Sequence, residues 1–100
     1  MNVRFVEEAQ RELFDAISYY EEAHAGLGRR FKDQVHRSVV RIADHPELYR
    51  LRPGEYRRIN LRVFPYYVPY IIREQTLWVL AVAHGRRQPL YWVSRRNETV

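Results

Sequence analysis

The fold of this chain depends on residues 77–92, Leu-Trp-Val-Leu-Ala-Val-Ala-His-Gly-Arg-Arg-Gln-Pro-Leu-Tyr-Trp. The first seven residues are all apolar, a run typical of a strand that is buried on both faces. The pattern changes at His84, because Gly85 frees the backbone to turn and Pro89 cannot donate a hydrogen bond to a sheet. The stretch therefore predicts a central strand over residues 77–83, followed by a polar segment at one end of the sheet.

Composition limits the class of protein. We expect one domain over residues 1–100, since 46% of the residues are apolar and suffice for a single core. There is no cysteine, and the four histidines lack zinc-site spacing, so neither a metal nor another cofactor is expected. No signal-peptide core or membrane-spanning apolar run is visible, which predicts a cytoplasmic protein with no membrane partner.

Arginine dominates the charge of the chain. Seventeen Lys and Arg residues stand against twelve Asp and Glu residues, a net charge of +5, and Lys32 is the only lysine. Guanidinium groups pair bidentately with phosphates and carboxylates. The surplus thus indicates a nucleic acid or an acidic protein partner, with an ordinary basic surface as the alternative.

The first half of the chain predicts a short strand, residues 2–6, and two helices separated by a glycine turn. Apolar residues at helical spacing define one face of each helix: Ala9, Leu13, Ala16, Ile17 and Tyr20, then Leu27, Phe31, Val35, Val39 and Ile42. Acidic residues of the first helix lie near the positive end of its dipole, and we interpret them as a solvated face. They are Glu7, Glu8, Glu12 and Asp15.

The second half predicts three strands, residues 56–63, 67–73 and 77–83. Alternation places Arg58 and Arg62 on one basic side of the first strand, and Pro69 predicts a bulge or an unpaired edge in the second. The fold class is α+β, an antiparallel sheet with the helical hairpin packed on one face. Fourteen aromatic residues exceed what the hairpin and one sheet face cover, which predicts an exposed apolar groove on the second face.

The polar segment after the central strand carries His84, Arg86, Arg87 and Tyr91. Cleavage of RNA by its own 2′-hydroxyl needs a base, cations for the phosphorane and an acid for the leaving oxygen. A histidine with an unperturbed pKa near ~6.5 suits proton exchange, and Arg86 or Arg87 suits the phosphate. No metal is needed for this chemistry. The alternative is a capped sheet end that binds a partner's carboxylates.

A nucleic-acid surface follows from the same interpretation. Tyr91 or Trp92 would stack on a splayed base, while Arg58 and Arg62 would follow the backbone. Whether His84 faces this site or the core depends on one residue of strand register.

Several segments together carry a resemblance to a known family: residues 9–20, Gly26-Leu27-Gly28 with Phe31, His45-Pro46, residues 64–70 and residues 82–89. In this order they resemble the RelE/ParE superfamily of type II toxin-antitoxin toxins, once grouped as plasmid stabilisation proteins. The resemblance implies the element order β-α-α-β-β-β. It also implies growth inhibition by a toxin that forms a hetero-oligomer with a cognate antitoxin, whose disordered segment folds on it.

The resemblance allows more than one target. RelE-like members cut messenger RNA in the ribosome with basic residues and a C-terminal Arg and Tyr, which Arg87 and Tyr91 match by position, with Arg86 as a competitor. ParE-like members instead poison DNA gyrase and lack that set. Residues 64–66, Phe-Pro-Tyr, stand where a nuclease would place a phosphate-binding arginine. The expectation is a toxin whose target stays open. The first hypothesis is a ribosome-dependent, metal-independent endoribonuclease, and the alternatives are a non-catalytic gyrase inhibitor and a non-toxic antitoxin-binding member.

Overall fold

The fold is taken from a computed structural model that describes residues 1–99. The elements in chain order are β1 (Asn2–Phe5), α1 (Glu7–Ala23), α2 (Leu27–Asp44), β2 (Arg57–Asn60), β3 (Tyr66–Arg73), β4 (Thr76–Val79) and β5 (Ala83–His84). A 3₁₀ helix, Val93–Glu98, follows. Two helices on a sheet confirm the predicted α+β fold, and the predicted order β-α-α-β-β-β is observed with its last strand divided into β4 and β5. Within residues 1–99, no helix is long and apolar enough to cross a membrane.

A glycine turn joins the two helices closely. Gly26 has φ +88°, a left-handed conformation that glycine adopts without strain. A Cβ on Gly28 would lie 2.5 Å from the carbonyl oxygen of Ile17, so only glycine fits where α2 begins against α1. The Glu21 carboxylate accepts hydrogen bonds from the backbone N–H groups of Gly26 and Gly28, at 2.9 and 3.0 Å. The residues that predicted the turn therefore also fix the spacing of the helices.

The sheet has the strand order β1-β4-β3-β2, and β5 pairs with the far end of β3. Strand β4 is central, as predicted. Strand β1 runs parallel to β4, whereas the other pairs are antiparallel. The sheet is thus mixed, because the helical hairpin is long enough to serve as a crossover that a parallel pair requires.

A bulge divides the predicted central strand. Strands β4 and β5 both pair with β3, but residues 80–82 between them oppose only residues 68–69. This extra residue makes a β-bulge, and the Leu80 N–H donates to the carbonyl of Pro69 at 2.9 Å. The prediction of one continuous strand over residues 77–83 is wrong, and the bulge predicted from Pro69 lies in the strand opposite it.

The C-terminal segment covers the second face of the sheet. Trp92 is 0% exposed; its ring lies edge-on to Tyr56 at 4.7 Å, and its indole N–H donates to the Tyr67 hydroxyl at 3.0 Å. The guanidinium of Arg73 donates to the hydroxyl and carbonyl of Thr99, at 2.6 and 3.2 Å. The prediction of an exposed groove on this face is wrong, because the chain folds back and supplies its own cover.

Candidate functional site

Two of the side chains that the sequence singled out, Arg87 and Tyr91, converge on Glu12 in α1. Its Oε1 atom accepts hydrogen bonds from the Val82 N–H at 3.1 Å and Arg95 Nη1 at 2.9 Å. Its Oε2 atom accepts from the Tyr91 hydroxyl at 2.6 Å, Arg95 Nη2 at 3.2 Å and Arg87 Nη1 at 3.3 Å. We call these five residues the Glu12 network. Their donors leave both carboxylate oxygens fully engaged.

The position of Glu12 follows from local structure. Glu12 lies on the helix face shared by Ala9 and Ala16, both buried, so its side chain points at the sheet and is only 15% exposed. The bulge removes the backbone N–H of Val82 from the strand ladder, and Glu12 accepts it there, since a buried N–H requires a partner. The interpretation of Glu12 as part of a solvated face is therefore wrong. The spacing of Glu12 from Ala9, three residues along the helix, could have shown that the two side chains share a face.

Arg95, which sequence reasoning missed, is the second centre of the network. Its side chain is 13% exposed and pairs bidentately with Glu12, and it also donates to the carbonyl of Leu80 at 3.1 Å. Arg87 is more exposed and lies over the ring of Tyr91, 3.7 Å from its centroid. The Glu12 carboxylate thus pairs with the guanidinium groups of Arg87 and Arg95, and both of these groups lie over the ring of Tyr91.

The phenol of Tyr91 is held in its protonated form. Burial, followed by the hydrogen bond to Glu12, raises the pKa of Tyr91 well above its ordinary value of 10. The hydroxyl is therefore a fixed donor to the carboxylate. The proton of the Tyr91 hydroxyl thus lies in a hydrogen bond to Glu12 within the chain.

Alkaline titration should report this protonation. Burial raises the pKa of Tyr70 to about 12, and the pKa of Tyr91 is raised as well, while both are near 10 when unfolded. The native state holds these protons more tightly, so stability present below pH 10 should fall as the pH rises from 10 towards 12. We expect Tyr70 and Tyr91 to ionise only with unfolding, seen as coincident changes in tyrosinate absorbance and circular dichroism. Ionisation of all eight tyrosines near pH 10 in a folded chain would contradict this.

His84 faces a surface groove between α1 and β5, defined here by Tyr19, Tyr20, Tyr66, His84 and Arg86. The imidazole lies edge-on to Tyr66 at 5.0 Å, and its Nδ1 accepts the backbone N–H of Arg86 at 3.0 Å. The bulge before β5 sets this orientation, because one added residue exchanges the two faces of a strand. We call this surface the aromatic groove.

The predicted nucleic-acid residues do not share a surface. Arg58 lies over the ring of Tyr67, 4.6 Å from its centroid, on the face that the C-terminal segment covers. Arg62 follows the end of β2 and is drawn towards α2, where its N–H donates to Gln34 Oε1 at 3.1 Å. Strand β2 ends at Asn60, so the alternation that placed Arg58 and Arg62 on one side does not extend to Arg62. Trp92 is 0% exposed, so it presents no ring face to a base.

Comparison with known proteins places this geometry in a family. Residues 3–89 match the family described as ParE toxin of type II toxin-antitoxin system, parDE. Toxin ParE2 of Mycobacterium tuberculosis is 35% identical over 79 residues, which cover 78% of this chain and 75% of that protein.

Solved structures share the fold. A chain of the chromosomal ParDE TA system from P. aeruginosa superposes with a TM-score of 0.62 and 15% identity, over 84% of this chain and 95% of that chain. The isolated E. coli RelE toxin gives a TM-score of 0.62 and 19% identity, over 97% of each chain.

The match to the ParE toxin family makes this chain a small toxin of the RelE/ParE superfamily and confirms the predicted resemblance. The solved structures share its fold, a helical hairpin on a sheet. Within that class, the chain belongs to the ParE toxin family of type II toxin-antitoxin systems. Membership of this family implies an antitoxin as its partner.

Proposed function

We propose that this toxin arrests growth by binding DNA gyrase as a stoichiometric inhibitor and does not cleave messenger RNA. The observation that carries the proposal is the Glu12 network. Arg87 and Tyr91, which resemble the C-terminal pair of the nucleases, both donate to the carboxylate of Glu12. The two side chains therefore have a structural function that competes with catalysis.

The network opposes phosphate chemistry on electrostatic grounds. A nuclease stabilises the negative charge of a phosphorane with cations aimed at an empty position. Here the carboxylate of Glu12 already lies where Arg87 and Tyr91 converge, and its charge repels a second anion. The raised pKa of Tyr91 adds to this, since a phenol that holds its proton so tightly is a poor acid.

The strand upstream supports the same conclusion. At residues 64–66 the chain places Phe64, which is 6% exposed, and Tyr66, which packs against His84. These side chains fill the position that a phosphate-binding arginine has in the nucleases that the sequence resembles. The match to the ParE family then favours gyrase, the target of ParE-like members, and a cytoplasmic site of action.

Replacing Arg87 with alanine and Tyr91 with phenylalanine is expected to leave toxicity intact, because neither group is needed for a binding inhibitor. After induction of the wild-type chain or the variant, plasmid DNA should lose supercoiling and accumulate gyrase-linked breaks while messages stay intact. A parallel unfolding measurement checks that the variant is folded at the assay temperature, since it loses two hydrogen bonds of the network.

Two other outcomes would contradict gyrase inhibition, and each identifies a different function. Rapid message cleavage inside translated codons by the wild type, lost in the variant, would establish an endoribonuclease that uses Arg87 and Tyr91. Growth without arrest, together with antitoxin binding, would identify a non-toxic member of the family.

A further inference from the structure

We infer that a basic groove between α2 and β2 binds the phosphate backbone of nucleic acid. The groove lies apart from the Glu12 network and is lined by Gln34, Arg37, Ser38, Arg41, Asn60 and Arg62. We call it the basic groove. The inference goes beyond the proposed function, because phosphate binding by this surface does not depend on whether gyrase or the ribosome is the target.

Three cations of the groove are available to a ligand. Arg37, Arg41 and Arg62 are exposed, and within residues 1–99 no carboxylate forms an ion pair with any of them. None of the residues that line the groove is acidic. The groove contrasts with the Glu12 network, where both guanidinium groups are paired with a carboxylate. It therefore keeps a local positive charge that attracts anions.

The arrangement of the cations suits a regular array of phosphates. Arg37 and Arg41 lie one turn apart on α2, about 6 Å along the helix axis. Arg30 extends the same helical stripe, so that the line from Arg30 to Arg41 is about 16 Å long. Arg62 faces this line across the groove. Charges repeated along an axis match the fixed spacing of a nucleic-acid backbone, whereas the carboxylates of an acidic peptide have no required spacing.

Polar donors complete the site. Ser38 and Asn60 line the groove between the arginines and offer hydroxyl and amide groups of the kind that contact phosphate oxygens. Gln34 Oε1 accepts the N–H groups of Arg62 and Val63, at 3.1 and 3.4 Å, which ties the loop that carries Arg62 to α2. These hydrogen bonds fix the position of the Arg62 loop relative to α2.

A protein partner is less well suited to this surface. Protein interfaces depend on aromatic or aliphatic anchors that insert into apolar pockets. The apolar lining of the basic groove consists of Ile59, which is 6% exposed, and Tyr49, which packs against the core. The exposed side chains of the groove are the three arginines and Asn60, and this favours phosphates.

The test measures binding of a short fluorescein-labelled DNA duplex to the purified full chain by fluorescence anisotropy at several salt concentrations. Three phosphate contacts predict a slope of log K against log salt of about −2.7, or roughly 40-fold weaker binding between about 50 and 200 mM salt. The variant R37Q/R41Q/R62Q should bind at least 10-fold more weakly at about 50 mM salt, with a slope near zero.

A matched variant separates local geometry from total charge. R11Q/R29Q/K32Q removes three exposed cations outside the groove and has the same net charge, +2 in place of +5. It should bind the duplex like the wild type. Equal losses in the two variants, or no binding by the wild type, would overturn the inference.

Two further ligands test whether the basic groove recognises phosphate groups or carboxylates. An RNA duplex of equal length should bind with a similar salt slope, because the phosphate is the group recognised. A poly-glutamate peptide is expected to bind more weakly than the DNA. If the peptide binds and the nucleic acids do not, the groove is a site for an acidic protein segment and the inference is wrong.

Discussion

Replacing Glu12 with alanine is expected to lower the free energy of unfolding by about 3 kcal/mol, because it leaves a buried cation without its partner. The side chain of Arg95 is 13% exposed and would lose both of its hydrogen bonds to the carboxylate. Val82 N–H and the Tyr91 hydroxyl would lose their acceptor as well. For a domain of this size, each kcal/mol lowers the Tm by roughly 4–8 °C.

Urea unfolding of two further variants tests whether this loss comes from the buried pair of Glu12 and Arg95. Glu7→Ala breaks the ion pair with Arg11, whose side chains are 79% and 66% exposed, and should cost below about 0.5 kcal/mol. The double variant Glu12→Leu with Arg95→Met replaces the buried pair by apolar groups and should recover much of the loss. If Glu12→Ala is no less stable than Glu7→Ala, the network contributes little to the fold.

Replacing Trp92 with alanine is expected to cost about 3–5 kcal/mol, the usual range for a large aromatic residue removed from a core. Trp92 is 0% exposed, packs on Tyr56 and donates to Tyr67, so its loss opens a cavity and leaves the half-buried Tyr67 hydroxyl without its donor. Thermal and urea unfolding measure this effect. The base-stacking interpretation predicts the reverse, little change in stability and weaker nucleic-acid binding.

A conservative variant separates the contributions of the indole. Trp92→Phe keeps most of the ring in the core and removes the hydrogen bond to Tyr67, so it should cost about 1–2 kcal/mol. A stable Trp92→Ala variant with weaker binding of the DNA duplex would restore the original interpretation of this residue.

The two effects share a structural cause. Tyr91, Trp92 and Arg95 lie after residue 89, where the match to the ParE family ends, yet they cover one sheet face and complete the Glu12 network. The C-terminal segment thus stabilises the fold with Tyr91 and Trp92, which the sequence had associated with a nucleic-acid site, and with Arg95. In this chain the two residues that resemble the nuclease pair, Arg87 and Tyr91, form hydrogen bonds that join the C-terminal segment to α1.

Much of the fold could be predicted from local patterns. The spacing of apolar residues defined both helices, and Gly26 and Gly28 marked their turn. The alternation in residues 56–63 and 67–73 located β2 and β3. These patterns report which side of an element is buried, a property that each element carries in its own sequence.

The site depended on contacts that no local pattern contains. The hydrogen bonds that join Glu12 to Arg87, Tyr91 and Arg95 span 75 to 83 residues of the chain. A single extra residue in the bulge sets the position of Val82 and His84, and periodicity does not reveal it. The sequence by itself determined the elements, the charge and the family resemblance. Only the tertiary structure decided that Glu12 accepts hydrogen bonds from the expected catalytic pair and that Trp92 belongs to the core. Both outcomes depend on which distant segments pack together.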